Sequence, residues 1–245
     1  MISRKILGVR VDDVTTAEAL TTIEALIGDG QPHQITTVNA EFIMQARHDH
    51  AFRRVINHSD LAVPDGMGPV IIGGLTGRPL RDHVTGVELT EALARIAPEH
   101  GWSIFLLGAA EGVAEQAAKT LQSRYSGLTI AGTSALGPKE ASDKTIIEQV
   151  TKTKPTILLV AYGAPVQDLW ISRNQAELNV PLAIGVGGTF DFIAGTAKRA
   201  PHWMQSIGLE WFWRLIQEPW RWRRMLALPK FAILAIGEGI GLVKS

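Results

Sequence analysis

Short apolar runs recur along the chain at Gln34–Val38, Leu61–Val63, Ser103–Leu107, Leu128–Ala131, Thr156–Ala161 and Leu182–Val186. The last four begin roughly 25 to 28 residues apart, which is the length of one strand followed by one helix. Between the runs the period changes to that of a helix. In Gly112–Tyr125, the residues Val113, Ala117, Leu121 and Tyr125 fall four apart, and Ala141–Thr151 carries Ile146, Ile147 and Val150 on one face. The unbroken apolar run Ile157-Leu158-Leu159-Val160 is the pattern of a strand covered on both sides. These periods predict an α/β fold with a mainly parallel sheet.

In such a sheet ligands bind beyond the carboxyl ends of the strands. Five of those ends are polar or glycine-rich. They read Thr37-Val38-Asn39, Pro64-Asp65-Gly66, Gly108 to Gly112, Tyr162-Gly163-Ala164-Pro165 and Gly185-Val186-Gly187-Gly188-Thr189-Phe190-Asp191. Each alone is a turn signal; together at one edge they are a site hypothesis. The Gly185–Gly188 run suits either a tight turn or close backbone approach to a ligand, and it departs from G-x-G-x-x-G at Phe190. Asp65 is either a turn residue or a carboxylate placed to accept a proton from a hydroxyl.

Composition divides the 245 residues unevenly. Lys+Arg and Asp+Glu both number 24, so no net basic field is present to hold nucleic acid. Residues 1–197 hold 16 basic against 21 acidic residues, whereas 198–245 hold 8 against 3 together with five of the seven tryptophans. We therefore expect a mildly acidic α/β domain over 1–197 and a basic, tryptophan-rich helical appendage over 198–245. Glu218-Pro219 is expected to end one helix of the appendage and start another. Arg214, Arg221, Arg223 and Arg224 suit a solvated helix face, a diphosphate site or anionic lipid. Met225–Val243 reads as a segment lying in a membrane interface; its rivals are a helix packed on the main domain and a homo-oligomer contact.

The chain has no cysteine, and its seven histidines lack metal-ligand spacing, so no metal site is expected. No run offers a signal peptide or a transmembrane helix. A Gly-x-Ser-x-Gly elbow is absent, which disfavours a serine hydrolase. The glycine-rich turn leaves two readings open: a nicotinamide-dependent oxidoreductase and a non-catalytic, nucleotide-binding membrane adaptor.

The ordered series of motifs resembles the WecG/TagA/CpsF family of bacterial glycosyltransferases from about Ile6 to Pro229. It begins with Thr37-Val38-Asn39-Ala40-Glu41, Pro64-Asp65-Gly66-Met67-Gly68 and Arg81-Asp82-His83-Val84-Thr85-Gly86. Phe105-Leu106-Leu107-Gly108, Gly163 to Asp168 and Gly185 to Asp191 follow. Arg199-Ala200-Pro201, Gly208-Leu209-Glu210-Trp211, and Arg214 through Glu218-Pro219 to Arg221 and Arg224 close the series.

The resemblance implies an inverting, metal-independent hexosyltransferase with a Rossmann-like domain and no cofactor. Its partners would be a UDP-sugar donor, N-acetylmannosamine among the candidates, and a polyprenyl-diphosphate-linked acceptor in cell-surface polysaccharide or teichoic acid synthesis. The chain would then be cytoplasmic and peripheral on the inner face of the membrane, held there by the appendage. By motif, Asp65 would be the general base, with Thr37 and Asn39 lining the sugar pocket. Gln167 would lie near the donor, Gly187 and Asp191 would bind the nucleotide, and Arg214, Arg221 and Arg224 would meet diphosphate charge. Two departures stand out. The family's Gly-x-Pro-Lys-Gln-Glu becomes Gly163-Ala164-Pro165-Val166-Gln167-Asp168, losing a cation and shortening an acid. His83, with Arg81 nearby, stands where several members have arginine. Both bear on donor-phosphate contacts and sugar choice.

Overall fold

The computed structural model describes residues 2–138, 141–201, 203–204, 209–217, 219 and 222–242, without the side chains of Arg214, Arg223 and Arg224. The chain opens with a hairpin, β1 (Ile2–Ile6) and β2 (Val9–Asp13), paired antiparallel around Leu7-Gly8. Then come α1 (Thr16–Gly28), β3 (His33–Val38), α2 (Ala40–Ala46), α3 (His50–His58), β4 (Leu61–Pro64), α4 (Met67–Leu75) and α5 (Gly86–His100). These are followed by β5 (Ser103–Gly108), α6 (Val113–Arg124), β6 (Thr129–Ser134), α7 (Asp143–Thr151), β7 (Ile157–Ala161), α8 (Val166–Leu178), β8 (Leu182–Gly185) and α9 (Thr189–Ala194). The C-terminal segment adds α10 (Glu210–Gln217), α11 (Trp222–Met225) and α12 (Ala227–Gly239).

Strands β3 to β8 form one six-stranded sheet in the order β4-β3-β8-β7-β5-β6, and every neighbouring pair is parallel. All six expected strand positions are occupied, with β6 running to Ser134, further than the sequence pattern implied. The double-sided pattern is visible in the packing. Ile157 and Leu159 lie in a core with α1, α5, α6 and α9. Leu158 and Val160 face the opposite way, into a core with α7 and α8. A third core on that second side joins Val38 and Ala62 to the hairpin, α2, α3 and α12. The hairpin escaped the sequence reading because its strands are five residues each and mix charged with apolar positions, two of the acids, Asp12 and Asp13, being buried.

Several helix starts are fixed by side chains. Thr15 and Glu18 form a reciprocal capping box on α1, and Thr85 and Glu88 form one on α5. Asn39 caps α2 by accepting from the Phe42 N–H at 3.0 Å.

Of the readings open for the tail, packing on the main domain is seen: α12 packs on α2 and α4. Phe231 and Ala235 are buried there, at 2% and 1% exposed. The partly buried Glu238 carboxylate accepts the Leu7 N–H at 3.0 Å and pairs with Arg78. The helix break expected at Glu218-Pro219 falls where Glu218 lies outside the described residues; α10 is described to Gln217 and α11 from Trp222. No helix of the described residues is long and apolar enough to cross a membrane.

Because Phe231 fills a core position, Phe231→Ala should cost on the order of 3 kcal/mol. The loss should appear as a Tm drop of about 5–10 °C in thermal melts.

Candidate active site

Parallel pairing of β3 with β4 sets Val38 opposite Pro64, so the next residues, Asn39 and Asp65, emerge side by side. The backbone N–H of Asp65 closes that end by donating to the Val38 carbonyl at 2.9 Å. The Asn39 amide then works in both directions. Its Oδ1 caps α2, and its Nδ2 donates to Asp65 Oδ2 at 3.2 Å. This leaves Asp65 Oδ1 for another partner. One strand over, buried Thr37 donates from Oγ1 to the Gly185 carbonyl at 3.1 Å, tying β3 to the end of β8.

Gln167 joins two further strand ends. Its Oε1 accepts from the Gly163 N–H at 3.1 Å and from the Gly187 N–H at 2.9 Å. The loop after β7 and the loop after β8 are thus held by one side chain in the first turn of α8. Gly185 permits this approach, because a Cβ there would lie 2.5 Å from Gln167 Nε2 and 2.7 Å from Asp168 Oδ1. Asp191 sits in the first turn of α9 and accepts from Thr196 Oγ1 at 3.3 Å.

The parallel sheet therefore brings Asn39, Asp65, Gln167, Gly187 and Asp191 to its carboxyl edge, with Thr37 at the last turn of β3. His83 lies close enough to Asp65 to affect its charge. Arg81 does not replace the missing family arginine, because it is held by Asp13 and Glu18. Of the C-terminal arginines, Arg221 lies outside the described residues, and Arg214 and Arg224 are described only as backbone in α10 and α11.

Burial pushes the Asp65 carboxyl up to about 6, although the Asn39 hydrogen bond favours its charged form. The carboxylates of Glu210 and Glu88 push it the same way as burial, and His83 opposes them. These two acids are bridged. Arg199 places Nε 3.2 Å from Glu210 Oε1 and Nη2 3.8 Å from Glu88 Oε1. The sequence motifs contained Arg199 and Glu210, but their spacing gave no reason to set them against Asp65. Only the docking of α10 near α5 does that.

Asp168 was legible only as a shortened acid of a motif. It is fully buried, and among the described residues neither of its carboxylate oxygens has a hydrogen-bond partner. Burial raises it to about 7, offset only in part by the nearby Gln167 amide.

A polar carboxyl edge of a parallel sheet around a carboxyl raised toward neutrality is the pattern of a candidate active site. The chain belongs to the Glycosyl transferase WecG/TagA/CpsF family, whose sequence profile matches residues 4–244. Among its relatives is an N-acetylglucosaminyldiphosphoundecaprenol N-acetyl-beta-D-mannosaminyltransferase of Bacillus subtilis (strain 168). It is 36% identical over 205 residues, covering 83% of this chain and 79% of the relative. A Staphylococcus aureus (strain MW2) protein of the same name is 30% identical over 228 residues, 92% of this chain and 89% of that one.

Asp168 gives a stability test. A buried acid with a raised pKa holds its proton in the folded state at pH values where the unfolded chain has lost it, so it makes stability fall as pH rises from about 4 to 7. Asp168→Asn should remove that slope. Its Tm relative to the parent should rise by several degrees between pH 4 and pH 8 in paired melts.

Proposed function

We propose that the chain is an inverting glycosyltransferase that moves an N-acetylhexosamine from a UDP-sugar to a lipid-diphosphate-linked N-acetylglucosamine. The sugar we favour is N-acetylmannosamine, after the names of the relatives. The observation that carries the reading is the Asp65–Asn39 pair at the carboxyl edge of the sheet. A general base needs its lone pair free and a pKa near the working pH, and a partly buried carboxylate held by one amide satisfies both.

In this reading the acceptor hydroxyl attacks the anomeric carbon while Asp65 removes its proton on one face of the sugar. The bond to the nucleoside diphosphate breaks on the other. Asn39 keeps the carboxylate oriented, and Thr37 fixes the wall of the sugar pocket. Gln167 holds the loops of Gly163 and Gly187 in register for the donor. Asp191 and the amides that open α9 would face the nucleotide, and His83 would stand near the transferred group.

Leaving-group charge has to be met by positive or polar groups. We assign that charge to Arg214, Arg221 and Arg224 of an appendage spanning 198–245, acting without a divalent cation. The same segment, with a formal charge of +5, would hold the protein on an anionic membrane surface. An oxidoreductase reading of the glycine-rich turn gains nothing from the geometry, because the Gly187 N–H already donates to Gln167.

A donor panel with a short-prenyl diphosphate N-acetylglucosamine acceptor and chelator present tests the class, the donor and the metal requirement together. Asp65→Asn should lower kcat by roughly a hundredfold or more while sparing nucleotide binding. Near-normal turnover in that variant would remove Asp65 from the role.

The pH profile tests the electrostatics. Activity should rise as pH climbs through about 6, where Asp65 loses its proton. Glu210→Gln, which keeps an oxygen for Arg199, should move that acid limb to lower pH. An unmoved limb would mean that the appendage carboxylate does not act on the base.

A further inference from the structure

Helix α4 carries no charged side chain between Met67 and Thr76. Its inward side is accounted for by Pro69, Ile72 and Gly73, which are buried. Its outward side is also apolar: Ile71 is 47% exposed and Leu75 69%. Alongside it, α12 turns Phe231 and Ala235 inward and presents Ile233, Ile236 and Ile240 to the outside, with Ile233 at 71% and Ile240 at 67% exposed. The two helices pack closely. A Cβ on Gly239 would meet the Thr76 side chain at 2.9 Å, and Glu238 pairs with Arg78 just past the end of α4. Scattered exposed apolar residues need no explanation, but two packed helices both turning isoleucine and leucine outward make a patch that does.

We propose that α4, together with the outward stripe of α12, is a hydrocarbon-contacting face through which the catalytic domain itself rests on a lipid bilayer. This rests on the lipid-linked acceptor of the proposed function. It goes further in assigning membrane contact to a helix outside the basic appendage. Position argues for a bilayer over a second copy of the chain. Helix α4 begins two residues after Asp65, so the face runs outward from the base that an anchored acceptor must reach. Charge argues the same way, because most of the formal +5 of residues 198–245 lies in the stretch leading into α12, whose own Lys230 and Glu238 cancel, and it complements anionic headgroups. A chain held along this face would meet the acceptor diphosphate at the membrane surface, with the prenyl tail remaining in the bilayer.

The test uses the full chain and vesicles of phosphatidylethanolamine with phosphatidylglycerol. Ile71→Ser combined with Leu75→Ser removes hydrocarbon without adding charge, and both positions are exposed, so Tm should be unchanged. Flotation should show vesicle partitioning reduced at least tenfold. Turnover with a short-prenyl acceptor in solution should be retained, and turnover with vesicle-embedded acceptor should fall. As a second measurement, the absence of native cysteine allows Leu75→Cys to carry a single environment-sensitive fluorophore, which should shift to the blue on vesicles.

Unchanged flotation together with no fluorophore shift would overturn the proposal. So would a change in oligomeric state on sedimentation without any change in flotation, which would make the face a contact between copies. If flotation falls as expected but no acceptor is ever glycosylated, the functional reading fails while the face stands. Normal transfer with unchanged flotation has the reverse meaning.

Discussion

Inside a parallel sheet covered on both faces, backbone amides and carbonyls are consumed by the neighbouring strands, and side chains are consumed by packing. The first polar groups able to meet a ligand are those just past the last paired residue. Here that residue is set by register. Thr36 lies opposite Gly185, and Val38 lies opposite Pro64, so β3 delivers Asn39 beside Asp65 while Thr37 reaches the carbonyl of Gly185. Slipping β3 by one residue would turn its apolar positions over and separate the amide from the carboxylate. The site is therefore a consequence of strand pairing, with Asn39 as the point where fold and chemistry meet.

Charge is distributed around that point with a clear division. Three other buried or partly buried carboxylates are given cations: Asp12 has Arg10, Asp13 has Arg81, and Glu238 has Arg78, whereas Asp168 has none among the described residues. Among the described residues Asp65 is held by the Asn39 amide, and Arg199 is occupied by Glu88 and Glu210. The consequence is a carboxyl that titrates close to neutrality and can both take and release a proton. One of the acids responsible, Glu210, comes from α10, so the C-terminal segment reaches Asp65 electrostatically.

Much of this was readable in the sequence because the governing signals are local. Two-sided apolar runs such as Ile157–Val160 give a buried parallel strand, and polar residues after each run give the edge where Asn39, Asp65 and Gln167 gather. What could not be read depends on distance along the chain. Nothing within a few residues of Arg199 indicates that it lies between Glu88 and Glu210, and the motif that contains Asp168 says nothing of its isolation in the core. The tail was ambiguous for a related reason. An apolar stretch with sparse charge suits both a protein core and a membrane interface, and α12 uses its two sides differently. The inner one is settled by Phe231 and Ala235 against α2 and α4, while the outer one keeps its isoleucines exposed.

That arrangement links parts of the chain that composition sets apart. Helix α12 is seated on α2, whose first turn is capped by Asn39, and on α4, whose start follows directly from Asp65. The helices that present the two site residues are thus the ones that carry the C-terminal segment. A shift of α12 against this support would strain either the cap on α2 or the entry to α4, and each adjoins a member of the hydrogen-bonded pair. The Glu238 carboxylate extends the tie to the Leu7 N–H in the hairpin turn and to Arg78 after α4, which leaves α12 little freedom to slide. Between α9 and α12, the described contacts of α10 run through Arg199, which meets Glu210, and through two donations to the Lys198 carbonyl, from Trp213 Nε1 and Gln217 Nε2. The two donations are exposed, so they can exchange with water at small cost.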